Sequence, residues 1–348
     1  MVKNKITIVE IAKIAGVNPS TVSRALHPEK SSHLSEELRQ KIKKICEGNN
    51  YRPQVAAKGF AARKSYRVGL LLGALRNDLT NPHFSLFIQG ICDSLQSAGY
   101  TLSILWCEAD GKENINEKVQ NFLFSDVADA YIMGSTLLKK QSVEMFQSTG
   151  RPIVALSNHP TYEIDNFHQV KIDFSGAMKT IWQQMPADAL ENITLFSTNP
   201  DNKNELIKQY APSGAKLSFL CERVYQHDTE NLRASIRNAA AKHWDALKRS
   251  KVIWCESDIA ALSVYDLCKE YGLEPGRDLL IIGHDNFEAT CRNPPKKQII
   301  STIDPHWEQT GRLAGEFTIR CINNKEPAGA SISCPASFVT RETFPYKE

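Results

Sequence analysis

From residue 68 onward, short apolar runs alternate with amphipathic stretches, and this alternation limits the possible folds more than any other feature of the chain. Residues 68–73, 99–106, 130–133 and 152–156 read as strands, with helices at 84–98, 116–124 and 142–148 between them. Strands separated by helices pair in parallel, because each return needs a long crossover, and those crossovers cover both faces of the sheet. The pattern then restarts: 170–172, 193–196, 252–255 and 279–282 read as strands, and 177–184, 231–241 and 259–271 as helices. Two Rossmann-like subdomains are expected, enclosing a cleft at the carboxyl ends of their strands, where open α/β sheets hold ligands.

A chain of 348 residues exceeds what one core organises, so more than one domain is expected. With 42% hydrophobic and 23% charged residues, it has too much apolar material to stay disordered. The longest apolar run, 68–75, is well short of the roughly 20 residues that cross a bilayer, so no membrane partner is expected. Residues 1–17 carry charges every few positions and lack the apolar core of a secretory signal, which implies a cytoplasmic location. Nine cysteines form no CxxC pair, which argues against zinc and thioredoxin-like chemistry. Cys92, Cys107 and Cys255 lie in apolar stretches and read as buried thiols. With no G-x-S-x-G, P-loop or H-E-x-x-H motif, no catalytic residue, metal or cofactor is expected.

The net charge of +3 conceals a division: residues 1–65 carry +8 and the remainder −5. A basic unit on an acidic body is the footprint of a nucleic-acid module, because phosphate contacts release condensed counterions. Within it, Thr7 and Glu10 form a capping box ahead of Ile8, Ile11, Ala12 and Ala15 at helical spacing, and Gly16 is placed to end that helix. Asn18 and Pro19 then open a second, short helix bearing Ser20, Thr21, Ser23 and Arg24. Ser35 opens a third, with Leu38, Ile42 and Ile45 as its buried stripe. Helix, tight turn and short polar helix make a helix-turn-helix whose second helix fits the major groove of duplex DNA. Pro19, Ser20 and Arg24 are expected at base edges, Arg24 being able to read guanine bidentately, with Thr21, Ser23 and the Asn18 end of the helix at phosphates.

The stretch ITIVEIAKIAGVNPSTVSRALH, followed by LSEELRQKIKKICEGNNYRPQVAAKGFAARKS, resembles the DNA-binding and hinge region of the LacI/GalR family of bacterial transcriptional regulators. Further landmarks extend the resemblance over nearly the whole chain: Asn81-Pro82-His83-Phe84, residues 127–132, 257–261 and 281–286, and Arg341-Glu342-Thr343. It implies a helix-turn-helix domain over 1–50, a hinge over 51–66, and over 67–348 an effector-binding and dimerisation domain with a periplasmic-binding-protein-like fold. The subdomains would comprise about 67–160 with 302–327, and about 161–301 with 328–348, the chain crossing near 157–165, 300–303 and 325–330. Thr7 and the hinge residues Tyr51, Arg52, Ala57 and Phe60 would join the DNA contacts, Phe60 pressing into the minor groove where the family usually has leucine. Gly59 disfavours helix beside it by about 1 kcal/mol relative to alanine, which favours a hinge that folds only on DNA. Gln54 stands where the family has asparagine at the start of the hinge.

For the cleft, the resemblance points to Asp285 and Ser257, the latter replacing an asparagine, with Asp258 beside it. Phe84, Trp106 and Trp254 offer ring faces, Trp254 reading more readily as core, and Ser157 and Asn158 offer polar groups at a strand end. A carboxylate accepting two adjacent hydroxyls suits a sugar or sugar derivative. The family's arginine after 193–196 is absent, with Lys203 or Lys208 as possible substitutes, and His284 replaces an aromatic neighbour of Asp285. The expectation is a homodimeric repressor on a pseudo-palindromic operator, controlled by a small-molecule effector acting as inducer or corepressor. The rival reading is an enzyme or sugar-binding protein carrying a DNA-binding head.

Overall fold

The computed structural model describes residues 6–26, 34–52, 64–72, 82–106, 123–124, 127–134, 148–157, 167–198, 204–224, 232–291 and 293–345. The chain divides into two compact units, Met1–Tyr66 and Arg67–Glu348.

In the first unit, α1 (Ile8–Ala15), α2 (Pro19–Leu26) and α3 (Glu36–Gly48) surround one small core. Ile11, Ala12 and Ala15 meet Val22 and Ala25 there, and α3 contributes Ile42 and Cys46. The expected α3 stripe shifts: Ile42 and Cys46 are buried, while Leu38 and Ile45 pack half-exposed at its margin. Ile42 and Cys46 are four residues apart and so lie one above the other on the same helix face. Ser35 caps α3 by accepting from the Leu38 N–H at 3.3 Å.

The second unit holds two six-stranded sheets. The first contains β1 (Arg67–Leu72), β2 (Thr101–Trp106), β3 (Ala130–Gly134), β4 (Ile153–Ser157), β5 (His168–Asp173) and β11 (Ser331–Pro335), all parallel, in the order β11-β5-β4-β3-β1-β2. The second contains β6 (Ile193–Ser197), β7 (Leu217–Cys221), β8 (Val252–Cys255), β9 (Leu280–His284), β10 (Ser301–Asp304) and β12 (Ser337–Val339), in the order β12-β10-β9-β8-β6-β7, with only β12 antiparallel. Central β6 and β8 are buried throughout, as strands covered on both faces must be, whereas edge strand β7 is mostly open.

The expected lobe boundaries need correcting. β5, read as the start of the second set, is hydrogen-bonded to β4 and β11 and belongs to the first sheet. Alternation identifies a strand but not which sheet supplies its partners. The chain crosses at Phe174, where α5 (Ser175–Gln184) enters the second core with Met178 and Ile181, rather than near 157–165. It returns just past the expected 300–303, after β10 ends at Asp304, into α11 (Trp307–Ile322), and crosses again at Ala336, between β11 and β12, rather than near 325–330.

Helix α4 (Pro82–Ser97) and α11 lie against each other in the first lobe. Their approach depends on glycine: a Cβ on Gly90 would enter the Glu308 carbonyl, and one on Gly311 the Phe87 carbonyl. The cysteines are mixed. Burial pushes the Cys268 and Cys321 thiols up to about 12, and Cys255 is buried, but Cys92 is only half-buried and Cys221, on open β7, is exposed. Among the described residues no helix is long and apolar enough to cross a membrane.

Candidate functional site

In the first unit the capping box starts α1. The Thr7 N–H and hydroxyl both donate to Glu10 Oε2, at 2.7 and 2.8 Å, and the Glu10 N–H returns to Thr7 Oγ1 at 3.4 Å. These bonds to Thr7 hold the Glu10 carboxyl below its usual range. Thr7 is thus engaged in the cap. Gly16, at φ 71°, closes α1 in the left-handed conformation, its N–H reaching Ala12 and Lys13. The Asn18 carbonyl then accepts from Thr21 and Val22 to begin α2. Burying Val22 and Ala25 turns the other face outward: Pro19, Ser20 and Arg24 are exposed, and Thr21 and Ser23 half-exposed. Arg24 reaches Thr21 Oγ1 at 3.4 Å, and Asn18 stands exposed at the head of the helix. Tyr51 packs on the core, where burial raises its phenol, and Arg52 is exposed. Ala57 and Phe60 lie outside the described residues.

In the second unit, the carboxyl ends of β6, β8 and β9 carry polar groups. Glu256, one residue beyond β8, accepts from Ser197 Oγ at 2.5 Å and from the Thr198 N–H at 2.7 Å, and from the Thr198 hydroxyl as well. With His284, Met178, Ile207, Trp254, Cys255 and Ile303 it lines a small pocket with room for about one water-sized group. Trp254 is 1% exposed and packs on Trp182, so it is core that also walls the pocket.

Asp285 follows β9 at φ 98°, and Asn286 after it at φ 53°. Two consecutive left-handed residues other than glycine store strain, which concentrates at functional sites. The turn is anchored by Asn286, which donates to Asp304 at 2.8 Å and accepts from Arg341 at 2.6 Å. Asp285 Oδ1 lies 2.7 Å from His284 Nδ1, and Oδ2 lies 3.7 Å from Nε2 of His83 on α4 of the first lobe. His83 in turn stacks on Trp307, at the start of α11, and meets the edge of Phe287. This cluster spans the two lobes. Phe84, next along α4, is half-buried against Phe87.

Two expected cleft residues are engaged by the fold, and for Asp258 burial replaces the cleft role. Ser257 caps α9 (Asp258–Glu270), its oxygen accepting from the Ala260 N–H at 3.3 Å. Asp258 is wholly buried, accepting from Thr302 Oγ1 and the Phe287 N–H, both at 2.6 Å. Burial, together with nearby Asp285, pushes its carboxyl well above the usual range. Gly283 is small because Asp258 occupies the space a Cβ would need. Trp106 and Ser157 end β2 and β4 at the carboxyl edge of the first sheet, and Asn158 lies outside the described residues. Of the substitutes for the missing arginine, Lys208 pairs with Glu205 at 2.6 Å and sits 4.3 Å over the Phe219 ring, while Lys203 lies outside the described residues.

Sequence reading overlooked Glu256, its partners Ser197 and Thr198, and His83. Each stands at a strand end or immediately beside a residue singled out, so the strand-end rule alone would have found Glu256. Among the described residues no group of three or more histidine, cysteine or carboxylate side chains is arranged to hold a metal.

A helix-turn-helix with a polar outward face, joined to a two-lobed α/β body with polar groups at its strand ends, defines the class: a DNA-binding head on a periplasmic-binding-protein-like domain. Residues 7–54 match the model for bacterial regulatory proteins of the lacI family, and 191–344 match the periplasmic binding protein-like domain. The HTH-type transcriptional regulator KdgR of Bacillus subtilis is 25% identical, with 97% of each chain covered. Catabolite control protein A of Priestia megaterium is 26% identical over 94% of this chain and 95% of its own. The fold of the lac repressor dimer bound to operator and the anti-inducer ONPF superposes with a TM-score of 0.77 at 18% identity, covering 98% of this chain and all of that one. A LacI-family regulator from Enterococcus faecium with bound ribose gives a TM-score of 0.59 at 18% identity, covering 81% of this chain and all of its own. The chain belongs to the lacI family of bacterial regulatory proteins and is a transcriptional regulator of that family.

Proposed function

We propose that this regulator is a homodimeric repressor that binds a pseudo-palindromic DNA operator through α2 and is controlled by a small molecule, a sugar or sugar derivative, held at the carboxyl ends of the strands of its body. The observation that carries the reading is the outward face of α2, where Pro19, Ser20 and Arg24 are exposed above a buried Val22 and Ala25. Such a short polar helix after a tight turn is suited to the major groove, with Arg24 as the guanine reader and Asn18, Thr21 and Ser23 at phosphates. Thr7, Tyr51, Arg52, Ala57 and Phe60 complete the proposed DNA surface. The lac repressor dimer bound to operator and the ribose-bound relative support a dimer on DNA and a carbohydrate effector.

In the body, Asp285 on its strained turn is the residue proposed to meet effector hydroxyls, with Phe84, Trp106, Ser157, Asn158 and Ser257 around the cleft. Asp258 supports that wall from behind. The His83–Asp285 approach joins the lobes at this point, so a ligand engaging Asp285 competes with or completes an interlobe contact. An effector regulates only by its difference in affinity for the DNA-competent and DNA-incompetent states, and the coupling is reciprocal.

Selection of sites from random duplex DNA by the full-length protein tests the reading. Enrichment of one pseudo-palindrome, lost or altered in Arg24→Ala, is the expected result. Equal retention of all sequences by both proteins, across a range of salt, would overturn sequence-specific recognition by α2.

A further inference from the structure

We infer that the pocket at the carboxyl ends of β6, β8 and β9 selects an effector bearing an amine, an amino sugar being the simplest case, and rejects sugar acids and sugar phosphates. The inference rests on reading this edge of the body as the effector site, and adds the charge class of the ligand. Its basis is Glu256. Ser197 and Thr198, at the end of neighbouring β6, donate three hydrogen bonds to its carboxylate and so hold it at the pocket. A carboxylate offers about four acceptor positions, so one remains for a ligand donor. The walls around it are Met178, Ile207, Trp254 and Ile303, apolar surroundings in which a charge pair is poorly screened.

None of the described lining residues is a lysine or arginine. Residues 197–208 contain no arginine, and Lys208, the described cation on that segment, is turned toward Glu205 and the Phe219 ring. His284, the histidine of the lining, is engaged through Nδ1 by the Asp285 carboxylate 2.7 Å away. A carboxylate or phosphate on the ligand would therefore meet like charge in a weakly screening pocket, which acts as a barrier against that class. An ammonium group would form a charge-assisted hydrogen bond to Glu256.

The test is calorimetric titration of the full-length protein with matched sets: glucose and galactose, their 2-amino derivatives, their aldonic acids and their 6-phosphates. The amines are expected to bind best and the acids and phosphates worst. Glu256→Gln, which keeps the shape of the side chain, should weaken the amine by about tenfold to hundredfold and flatten the order. Ser197→Ala, which leaves the carboxylate but loosens it, should give a smaller loss. Acids or phosphates that bind the parent as tightly as the amines, or an order unchanged in Glu256→Gln, would overturn the charge assignment while leaving the effector reading intact. Failure of every compound to bind would remove the effector reading, and this inference with it.

Discussion

The helix-turn-helix head and the carboxyl edge of the second sheet are both small polar surfaces on a buried core, yet they are assembled differently. In the head, every residue proposed to touch DNA along α1 and α2 lies between Thr7 and Arg24, and the caps that orient them, Thr7 with Glu10 and Gly16, lie in the same stretch. At the sheet edge, Ser197, Glu256 and Asp285 come from three strands and are joined by hydrogen bonds across 58 and 59 positions of sequence or by an approach from the other lobe. A site built from one turn can be read from local rules. A site built at strand ends depends on which strands are neighbours.

If that contrast is right, damage to the body should propagate and damage to the head should stay local. The largest effect is expected for Asp258→Ala, which leaves Thr302 and the Phe287 N–H without their buried acceptor. A loss of about 3 kcal/mol, seen as a lower melting transition of the body, should accompany a changed effector response. An unchanged melting curve would show that Asp258 is not the keystone of that wall. Gly311→Ala forces apart α4 and α11 and should cost about 2 kcal/mol by chemical denaturation. Stability equal to the parent would mean that the helices separate without penalty.

On the head, Arg24→Ala should reduce specific operator affinity by about 1–3 kcal/mol with body melting unaltered, measured by fluorescence anisotropy on specific and scrambled duplexes. An equal loss on both duplexes would make Arg24 a phosphate contact. Thr7→Ala removes the cap and should destabilise the head by about 1 kcal/mol, monitored by hydrogen exchange of the α1 amides. The smallest effect concerns pH. Because the folded Glu10 carboxyl is held low by Thr7, its contribution is present above the unfolded value and is lost as pH falls through the folded one. Protection of the α1 amides, their exchange rates taken relative to the intrinsic rate at each pH, should therefore fall on acidification in the parent, and this acid dependence should shrink in Thr7→Ala.

Much of the fold was legible because period and punctuation are local. The runs at 193–196 and 252–255 became β6 and β8, and Thr7, Gly16 and Pro19 stand at the helix ends expected of them. What misled was membership. Residues 168–173 form a strand in either lobe as far as sequence is concerned, and only hydrogen bonds to β4 and β11 assign them to the first. In the site, Asp258 beside Ser257 resembled a ligand residue because type and position matched, but its burial beneath Gly283 makes it a support for α10 (Phe287–Thr290), whose first N–H it accepts.

The sequence by itself determined that a basic helix-turn-helix precedes an alternating α/β body, because capping, helical period and charge segregation act within a few residues of one another. Tertiary structure decided where the chain changes lobes, that Glu256 rather than Asp258 faces the pocket, and that His83 approaches Asp285 from the opposite lobe. Those outcomes depend on strand neighbours and buried volume, quantities set by contacts between residues far apart along the chain.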